Sequence, residues 1–250
     1  MRLARFVPYP LMLCLALAAT AQEPTDSTYS RRNTFSGFFE YSNDSSHIIL
    51  GLAENRKIGA IGFQYQRRLV HRSLLDFSFT AEARPGMMES DPTQTNTEIQ
   101  TSPNQFVAQG TPTPVMRCRT SNIFISETVP EPSGPVTLME ELITTCGRRT
   151  VVAQGLSPAG FRVNLLPRHR LQPTFSTLGG YMFSTQQVPV PNAGSFNFTF
   201  EFGGGLEFYR THTQSVRLEY QVQHFSNKKT ADLNPGVDSG FIKLTYAFGR

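Results

Sequence analysis

The segment FNFTFEFGGGLEF, residues 196–208, alternates apolar and polar side chains along its length. One face carries Phe196, Phe198, Phe200, Phe202, Leu206 and Phe208, and the other carries Asn197, Thr199, Glu201 and Glu207. A period of two is that of a β-strand, whose successive side chains point to opposite sides of the sheet. A tilted strand of roughly 9 to 11 residues is long enough to cross a membrane. The segment therefore predicts a strand with one apolar and one charged face.

The same alternation recurs along the rest of the chain and predicts eight strands in all. The other seven are residues 35–41, 61–65, 75–83, 161–165, 175–183, 216–222 and 242–248. The connections after the second, fourth and sixth strands are short, whereas those after the odd-numbered strands are longer. Short turns at one end and long loops at the other are typical of bacterial outer-membrane barrels, whose turns lie in the periplasm.

The polar face decides between a membrane barrel and a soluble sandwich, because a period of two fits both. Nine ionisable residues fall on this face: Glu40, Asp76, Glu82, Arg162, Glu201, Glu207, Arg217, Glu219 and Lys243. The interior of an eight-stranded barrel is wide enough for such a side-chain network. We therefore predict an all-β fold, an eight-stranded antiparallel transmembrane β-barrel with short periplasmic turns and long external loops. A soluble secreted β domain is the alternative, and it would have to bury the aromatic face.

The N-terminus has the pattern of a secretory signal. Two arginines precede an apolar run at residues 6–18, and the small-x-small sequence ATA follows at residues 19–21. This pattern predicts a signal peptide at residues 1–21 that is cleaved after Ala21. Together with the strand pattern it predicts a barrel domain at residues 22–250 in the outer membrane of a Gram-negative bacterium.

The number and positions of the cysteines agree with an exported protein. Cys14 lies inside the apolar run and is not preceded by small residues, so a lipoprotein anchor is the weaker alternative. After cleavage only Cys118 and Cys146 remain, and an even pair in an oxidising compartment predicts a disulfide. It would close part of a long external loop at residues 85–150, which is rich in Thr, Pro, Ser and Gln. Two unrelated free thiols are the alternative.

Several classes of function find no support in the sequence. A net charge of +4 is small, and no basic run with interleaved aromatic residues appears, so no nucleic-acid partner is expected. The predicted mature chain has no apolar run of the roughly 18 to 20 residues that a spanning helix needs. It also lacks the HExxH, paired CxxC, GxSxG and GxxxxGK motifs, so we predict neither a metal site nor a cofactor.

The last predicted hairpin brings together a histidine, a serine and an acid. Continuing the alternation of residues 216–222 puts His224 and Ser226 on the lipid-facing side, at the external end of the strand. A hairpin centred near residue 231 places Asp238 opposite His224. A serine nucleophile, a histidine base and an orienting acid are what the cleavage of an ester requires. Ionisable groups that face lipid are costly and call for a reason, although polar residues can also simply mark the membrane interface.

Residues 220–248, YQVQHFSNKKTADLNPGVDSGFIKLTYAF, resemble the lipid A 3-O-deacylases, the PagL-like eight-stranded barrels of Gram-negative outer membranes. The resemblance is carried by the His-x-Ser-Asn motif at His224, Ser226 and Asn227 and by the Asn-Pro-Gly that begins at Asn234. It implies that His224 is the base and Ser226 the nucleophile. It also implies that Asn234, together with Asn227 or nearby backbone N–H groups, stabilises the oxyanion.

The resemblance also implies a substrate, namely lipid A of lipopolysaccharide in the outer leaflet, cleaved without metal; a homodimer is left open. The family usually has glutamate where this chain has Asp238, so Asp238→Glu is expected to keep or raise activity. The pairs Lys228–Lys229 and Arg148–Arg149 are expected either to meet lipid A phosphates or to be solvated loop charges. The alternative function is a non-enzymatic barrel whose disulfide-closed loop binds something or shields the surface.

Overall fold

The alternating segments all form antiparallel strands in the computed structural model, which describes residues 28–102, 104–132 and 134–250. The strands are β1 (Asn33–Ser42), β2 (Lys57–His71), β3 (Leu75–Ser102), β4 (Phe106–Gln109), β5 (Thr113–Pro114), β6 (Ser121–Val129), β7 (Val136–Leu165), β8 (Leu171–Ser184), β9 (Phe196–Tyr209), β10 (Gln214–Ser226) and β11 (Val237–Gly249). Within the described residues there is no helix long and apolar enough to cross a membrane. The predicted signal peptide and its cleavage after Ala21 lie outside the described residues.

The sheet closes on itself as a ring. Neighbouring strands pair antiparallel in the order β1–β2–β3–β7–β8–β9–β10–β11, and β11 pairs again with β1. The prediction of an all-β antiparallel fold is therefore confirmed. The sheet nevertheless has eleven strands and not the eight predicted, because β4, β5 and β6 form within the segment that was expected to be a loop.

That segment, residues 85–150, continues the sheet outward. β3 and β7 are 28 and 30 residues long, and their pairing runs from Leu75 opposite Leu165 to Ser102 opposite Met139. β4 and β5 add to β3, and β6 adds to β7. We call residues 89–151 the extension. A Cys118–Cys146 disulfide, with the Cα atoms 5.8 Å apart, lies within it and confirms the predicted pairing.

The charged face lines the inside of the ring. All nine ionisable residues predicted for it are buried. Most of them form ion pairs inside the ring, as in Arg162–Glu219 and Lys243–Glu82 and in the pair that Glu201 forms with the buried Arg84, each 2.6 Å apart. Burying a charge is costly unless it is paired and hydrogen-bonded, so this network makes a polar interior possible. The opposite face is apolar and exposed, as at Phe39, Phe175, Phe208, Tyr220 and Phe248. The aromatic residues therefore point outward, contrary to what a soluble sandwich requires.

An apolar cluster lies at the end of the interior that carries the long connections. It contains Ile58, Met87, Met182, Phe225, Val237 and Phe241 from the strands, together with Ala53 and Val188 from two loops. Phe225 is 1% exposed. Because Phe225 points inward, its neighbours in β10, His224 and Ser226, point outward.

Candidate active site

The register of the last hairpin brings His224 and Asp238 together. β10 and β11 pair so that the two residues lie directly opposite each other. The Nδ1 atom of His224 is 2.6 Å from Oδ1 of Asp238. In this arrangement Nδ1–H donates to the carboxylate, which leaves Nε2 as an acceptor on the outward side of the ring. A histidine held in this tautomer can take a proton from a neighbouring hydroxyl group.

The second oxygen of Asp238 holds a loop. Oδ2 accepts four successive backbone N–H groups, those of Ile48, Ile49, Leu50 and Gly51, at 3.1, 2.5, 2.9 and 2.8 Å. These residues belong to the first external loop, residues 43–56, which joins β1 to β2. The Asp238 side chain is fully buried beneath this loop and is not exposed on the outer surface as its strand position alone predicts. Hydrogen bonds donated to both oxygens favour the ionised carboxylate.

Gly51 is the point of closest approach between the loop and the strand. A Cβ atom at this position would lie 2.5 Å from the backbone nitrogen of Asp238 and 2.9 Å from its Cγ. Only glycine lets the two backbones come so near without displacement. The alternation of apolar and polar residues does not predict this loop, and the glycine between Leu50 and Leu52 is the signal in the sequence for a close backbone approach.

Ser226 is the last residue of β10 and lies on the same outward face as His224. Residues two apart in a strand have Cα atoms about 6.6 Å apart, a distance that two side chains can bridge. Ser226 is half-buried, and its hydroxyl makes no hydrogen bond to any residue that the structure describes. Catalytic hydrogen bonds are often long in the absence of substrate, so the hydroxyl and Nε2 of His224 remain free to meet.

The two predicted oxyanion residues differ in their surroundings. Asn227 is buried, and its amide nitrogen donates to the carbonyl oxygens of Ala193 and Leu233, while its Oδ1 accepts the N–H of Lys229 at 2.8 Å. Its side chain therefore has no donor left for a substrate. Asn234 uses only Oδ1, which accepts the N–H of Asn227 at 3.0 Å. Its amide N–H₂ is without a partner among the described residues, so Asn234 is the better candidate for contacting an oxyanion.

The surface beside His224 and Ser226 is apolar. Across from them on β9 lie Phe200 and Phe198. The first external loop adds four exposed apolar side chains, Ile48, Ile49, Leu50 and Leu52. A surface pocket of about 830 Å³ opens between the loops and is lined by Asn234 but by neither His224 nor Ser226. The histidine and the serine thus lie on the outer surface of the ring, among exposed apolar side chains.

Metal ligands are not gathered anywhere in the part of the chain that the structure describes. Within it, no group of three or more His, Cys, Asp or Glu side chains is arranged to hold a metal ion. The last hairpin and its loops thus bring together a buried carboxylate, an imidazole oriented by it, a hydroxyl two residues away and an amide donor without a partner among the described residues.

Comparison with known proteins gives one family and a remote structural likeness. No curated protein matches the chain. The crystal structure of Neisserial surface protein A (NspA) is 8% identical, with 87% of this chain and 97% of that chain covered and a TM-score of 0.43. Nothing in these comparisons supports a homodimer. Residues 149–248 match the model of the lipid A 3-O-deacylase (PagL) family, which confirms the resemblance seen in the last hairpin. The matched range contains every predicted catalytic and oxyanion residue but neither the disulfide nor the first external loop.

Proposed function

We propose that the protein is an outer-membrane serine esterase that removes an ester-linked acyl chain from lipid A. The observation that carries the proposal is the 2.6 Å contact between His224 and Asp238, two residues from Ser226 on the outward face. The match of residues 149–248 to the PagL family supports a lipid A deacylase-type function in the outer membrane of a Gram-negative bacterium. In this proposal the ring is an eight-stranded transmembrane barrel.

The proposed chemistry has two steps. Ser226 Oγ attacks the ester carbonyl carbon while its proton passes to Nε2 of His224, and the amide N–H₂ of Asn234 donates to the developing oxyanion. The C–O bond then breaks, and the sugar hydroxyl leaves with the proton from His224. Water, deprotonated by His224, releases the fatty acid from Ser226. Asp238 stays ionised throughout and stabilises the imidazolium that forms in each step.

The position of the site suits a substrate that stays in the membrane. His224 and Ser226 lie at the loop end of β10, where the outer leaflet meets water in the proposed orientation. Exposed apolar residues of the first external loop and of β9 flank them. These side chains provide a surface along which an acyl chain can lie while its ester group reaches Ser226.

Mass spectrometry of lipid A incubated with purified, folded protein tests the proposal. Ser226→Ala and His224→Ala should each lower kcat/KM by about 10³-fold or more, since each removes a reacting group. Ser126→Ala, in the exposed strand β6, and His169→Ala, in an exposed turn, are matched controls that should leave activity unchanged. Wild-type protein that leaves lipid A intact across detergents and pH would refute the proposal. Equal activity in wild type and Ser226→Ala would place the chemistry elsewhere.

One observation favours a second function, a non-enzymatic barrel that binds a partner through its extension. Strand β6 pairs with β7 on one side only, and its residues from Ser121 to Thr128 are exposed, including Phe124 at 75%. Unpaired, apolar strand edges are surfaces to which other chains add. The lipid A assay separates the two functions, because only the esterase loses a measurable activity with Ser226.

A further inference from the structure

The turn that follows Ser226 carries two lysines in a backbone conformation that lysine rarely adopts. Lys228 and Lys229 have φ angles of +51° and +64°. The N–H of Thr230 donates to the carbonyl oxygen of Asn227 at 3.0 Å, so the two lysines are the central residues of a type I′ turn. Such turns strongly prefer Asn-Gly, because side chains with a Cβ are strained at positive φ. Strain of this kind persists where the surrounding structure imposes it, often at functional sites.

Asn227 imposes the turn, so the lysine side chains are not needed to hold it. Its side chain is fixed by Ala193, Leu233 and the N–H of Lys229. Its carbonyl oxygen also accepts the hydroxyl of Thr230 at 2.8 Å. Residues better suited to the turn would keep all of these contacts, since none of them involves a lysine side chain.

The lysine side chains are exposed and lie next to the proposed nucleophile. The Nζ atom of Lys228 is 5.0 Å from the ring centroid of Phe198, and Phe198 is directly opposite Ser226 in the sheet. Residues opposite each other in antiparallel strands have Cβ atoms only about 4.5 to 5.5 Å apart. Within the described part of the chain, neither ammonium group forms an ion pair or a hydrogen bond. Lys228 therefore holds an unneutralised positive charge over the strand neighbour of Ser226, and Lys229 adds a second exposed charge one residue further along the same turn.

The other basic pair near the external loops is already occupied. The guanidinium of Arg148 donates to the hydroxyl oxygen of Ser90 at 2.8 Å and to the side-chain amide oxygen of Asn55 at 3.3 Å. Arg149 forms an ion pair with Asp91 at 3.0 Å and also donates to the carbonyl oxygen of Gln187. These guanidinium groups hold the extension to its neighbours. Of these two basic pairs, only Lys228–Lys229 has side-chain nitrogens that form no hydrogen bond or ion pair with a described residue.

We infer that Lys228 and Lys229 form an anion subsite that binds a phosphate group on the lipid headgroup while Ser226 attacks an acyl ester of the same molecule. This inference rests on the proposed function. Two ammonium groups suit a phosphate monoester, which offers three acceptor oxygens and up to two negative charges. An inorganic phosphate ion presents the same chemistry and is the second source to be distinguished. The subsite would select phosphorylated lipids among the esters that reach the outer surface.

The double variant Lys228→Asn/Lys229→Gly tests the inference, because it removes both charges and installs the pair that a type I′ turn prefers. The folded protein should resist heating better than wild type. A basic residue near a lipid surface contributes about fivefold in affinity, so kcat/KM for phosphorylated lipid A, relative to enzymatically dephosphorylated lipid A, should fall about 25-fold. Lys57→Asn, which removes an exposed lysine at the start of β2, should leave this ratio unchanged.

The outcomes separate the subsite from a purely structural role and from the proposed function. Loss of preference for the phosphorylated lipid in a more heat-resistant protein supports the subsite. Equal losses on both lipids, or no loss, overturn it. Millimolar inorganic phosphate that inhibits wild type but not the double variant assigns the subsite to phosphate in general, whereas the absence of inhibition assigns it to the lipid-bound group. If wild type cleaves neither lipid, the proposed function fails. The subsite is then tested by calorimetric measurement of the binding of the two lipids. Equal affinity of wild type and double variant for phosphorylated lipid A would overturn the subsite.

Discussion

At the scale of the residue, Asp238 divides its carboxylate between two partners. Oδ1 lies 2.6 Å from the imidazole of His224, and Oδ2 accepts the backbone N–H groups of Ile48 to Gly51. A side chain with one methylene group cannot move to satisfy one partner without leaving the other. The orientation of the imidazole is thus tied to the position of the first external loop.

The substitution Asp238→Glu should lower activity, contrary to the expectation from the family's usual residue. The added C–C bond, about 1.5 Å long, would push a fully buried carboxylate into the loop amides or past the imidazole. A misplacement of about 1 Å can cost about 10²-fold, so we expect kcat/KM to fall by about 10- to 100-fold. Steady-state kinetics on lipid A measures this, and wild-type activity in the glutamate variant would show that the loop contact does not constrain the acid.

The companion substitution Asp238→Asn keeps the length and removes the charge. Its amide oxygen can still accept the loop N–H groups, but its N–H₂ group then faces Nδ1 of His224 and favours the tautomer with hydrogen on Nε2. A histidine in that tautomer cannot take the serine proton, so kcat should fall by about 10³- to 10⁴-fold in a protein that still folds. A loss smaller than that in the glutamate variant would mean that Asp238 acts mainly through the loop.

The residue-scale predictions from sequence succeeded where strand parity governs the side chain. Parity predicts that His224 and Ser226 face outward, and a hairpin centred near residue 231 places Asp238 opposite His224, as the register has them. Parity cannot separate Asn227 from Asn234, because both carry the same amide and only their three-dimensional neighbours differ. Nor can it find the donors to Oδ2, because backbone N–H groups exist at nearly every residue and leave no mark in the sequence.

At the scale of the element, the first external loop is attached to the last hairpin as an additional strand would be. Ser45 pairs with Ser239 and Ala53 pairs with Val237, so the loop runs beside the start of β11. Its end is anchored by Arg56, whose buried guanidinium donates to backbone carbonyl oxygens of other loops. The loop is therefore part of the site although it lies far from it in sequence.

Substituting Gly51→Ala tests the loop as a unit. The new Cβ would lie 2.5 to 2.9 Å from atoms of Val237 and Asp238, most of them backbone, so the loop has to move away and lengthen its hydrogen bonds to Oδ2. We expect kcat/KM to fall about 10- to 100-fold with little change in the heat resistance of the barrel. Gly37→Ala in β1 is the matched control, because its Cβ would meet nothing within 4 Å. Equal kinetics in the two variants would remove the loop from the mechanism.

The extension is the element that the sequence did not reveal. Its strands lack the sustained alternation of residues 196–208, because most of their side chains are partly or fully exposed on both faces instead of being buried on one. They form because the ladder between β3 and β7 continues outward, which satisfies backbone groups that a loop would leave to water. Such pairing joins residues distant in sequence, for example Gln94 and Cys146, and leaves little trace in composition.

At the scale of the whole molecule, a buried arginine is one of the links between the extension and the first external loop. The guanidinium of Arg56 donates to the carbonyl oxygens of Val115 and Met116, which lie just before Cys118, at 2.9 and 3.0 Å. It also forms an ion pair with Asp91 of β3 at 3.2 Å. Arg56 ends the loop that covers Asp238, so order in the disulfide-closed part of the extension supports the loop and, through the loop, the acid.

The double variant Cys118→Ser/Cys146→Ser should therefore loosen the extension while leaving the ring intact. Closing 28 residues contributes about 3 to 4 kcal/mol to a segment that is otherwise free, but the ring is held by its own strand pairing and buried charges. In gel electrophoresis of unheated samples, the folded ring of the variant should migrate as it does in wild type. Trypsin should cleave the variant after Arg117 and Arg119 much faster than it cleaves wild type. Deacylation should fall by about 10-fold or less, since Arg56 keeps its bond to the carbonyl oxygen of Pro189 and only the contacts at residues 115 and 116 weaken. A variant that resists trypsin as well as wild type does would show that strand pairing alone orders the extension, and an unfolded ring would show that the two parts fold as one unit.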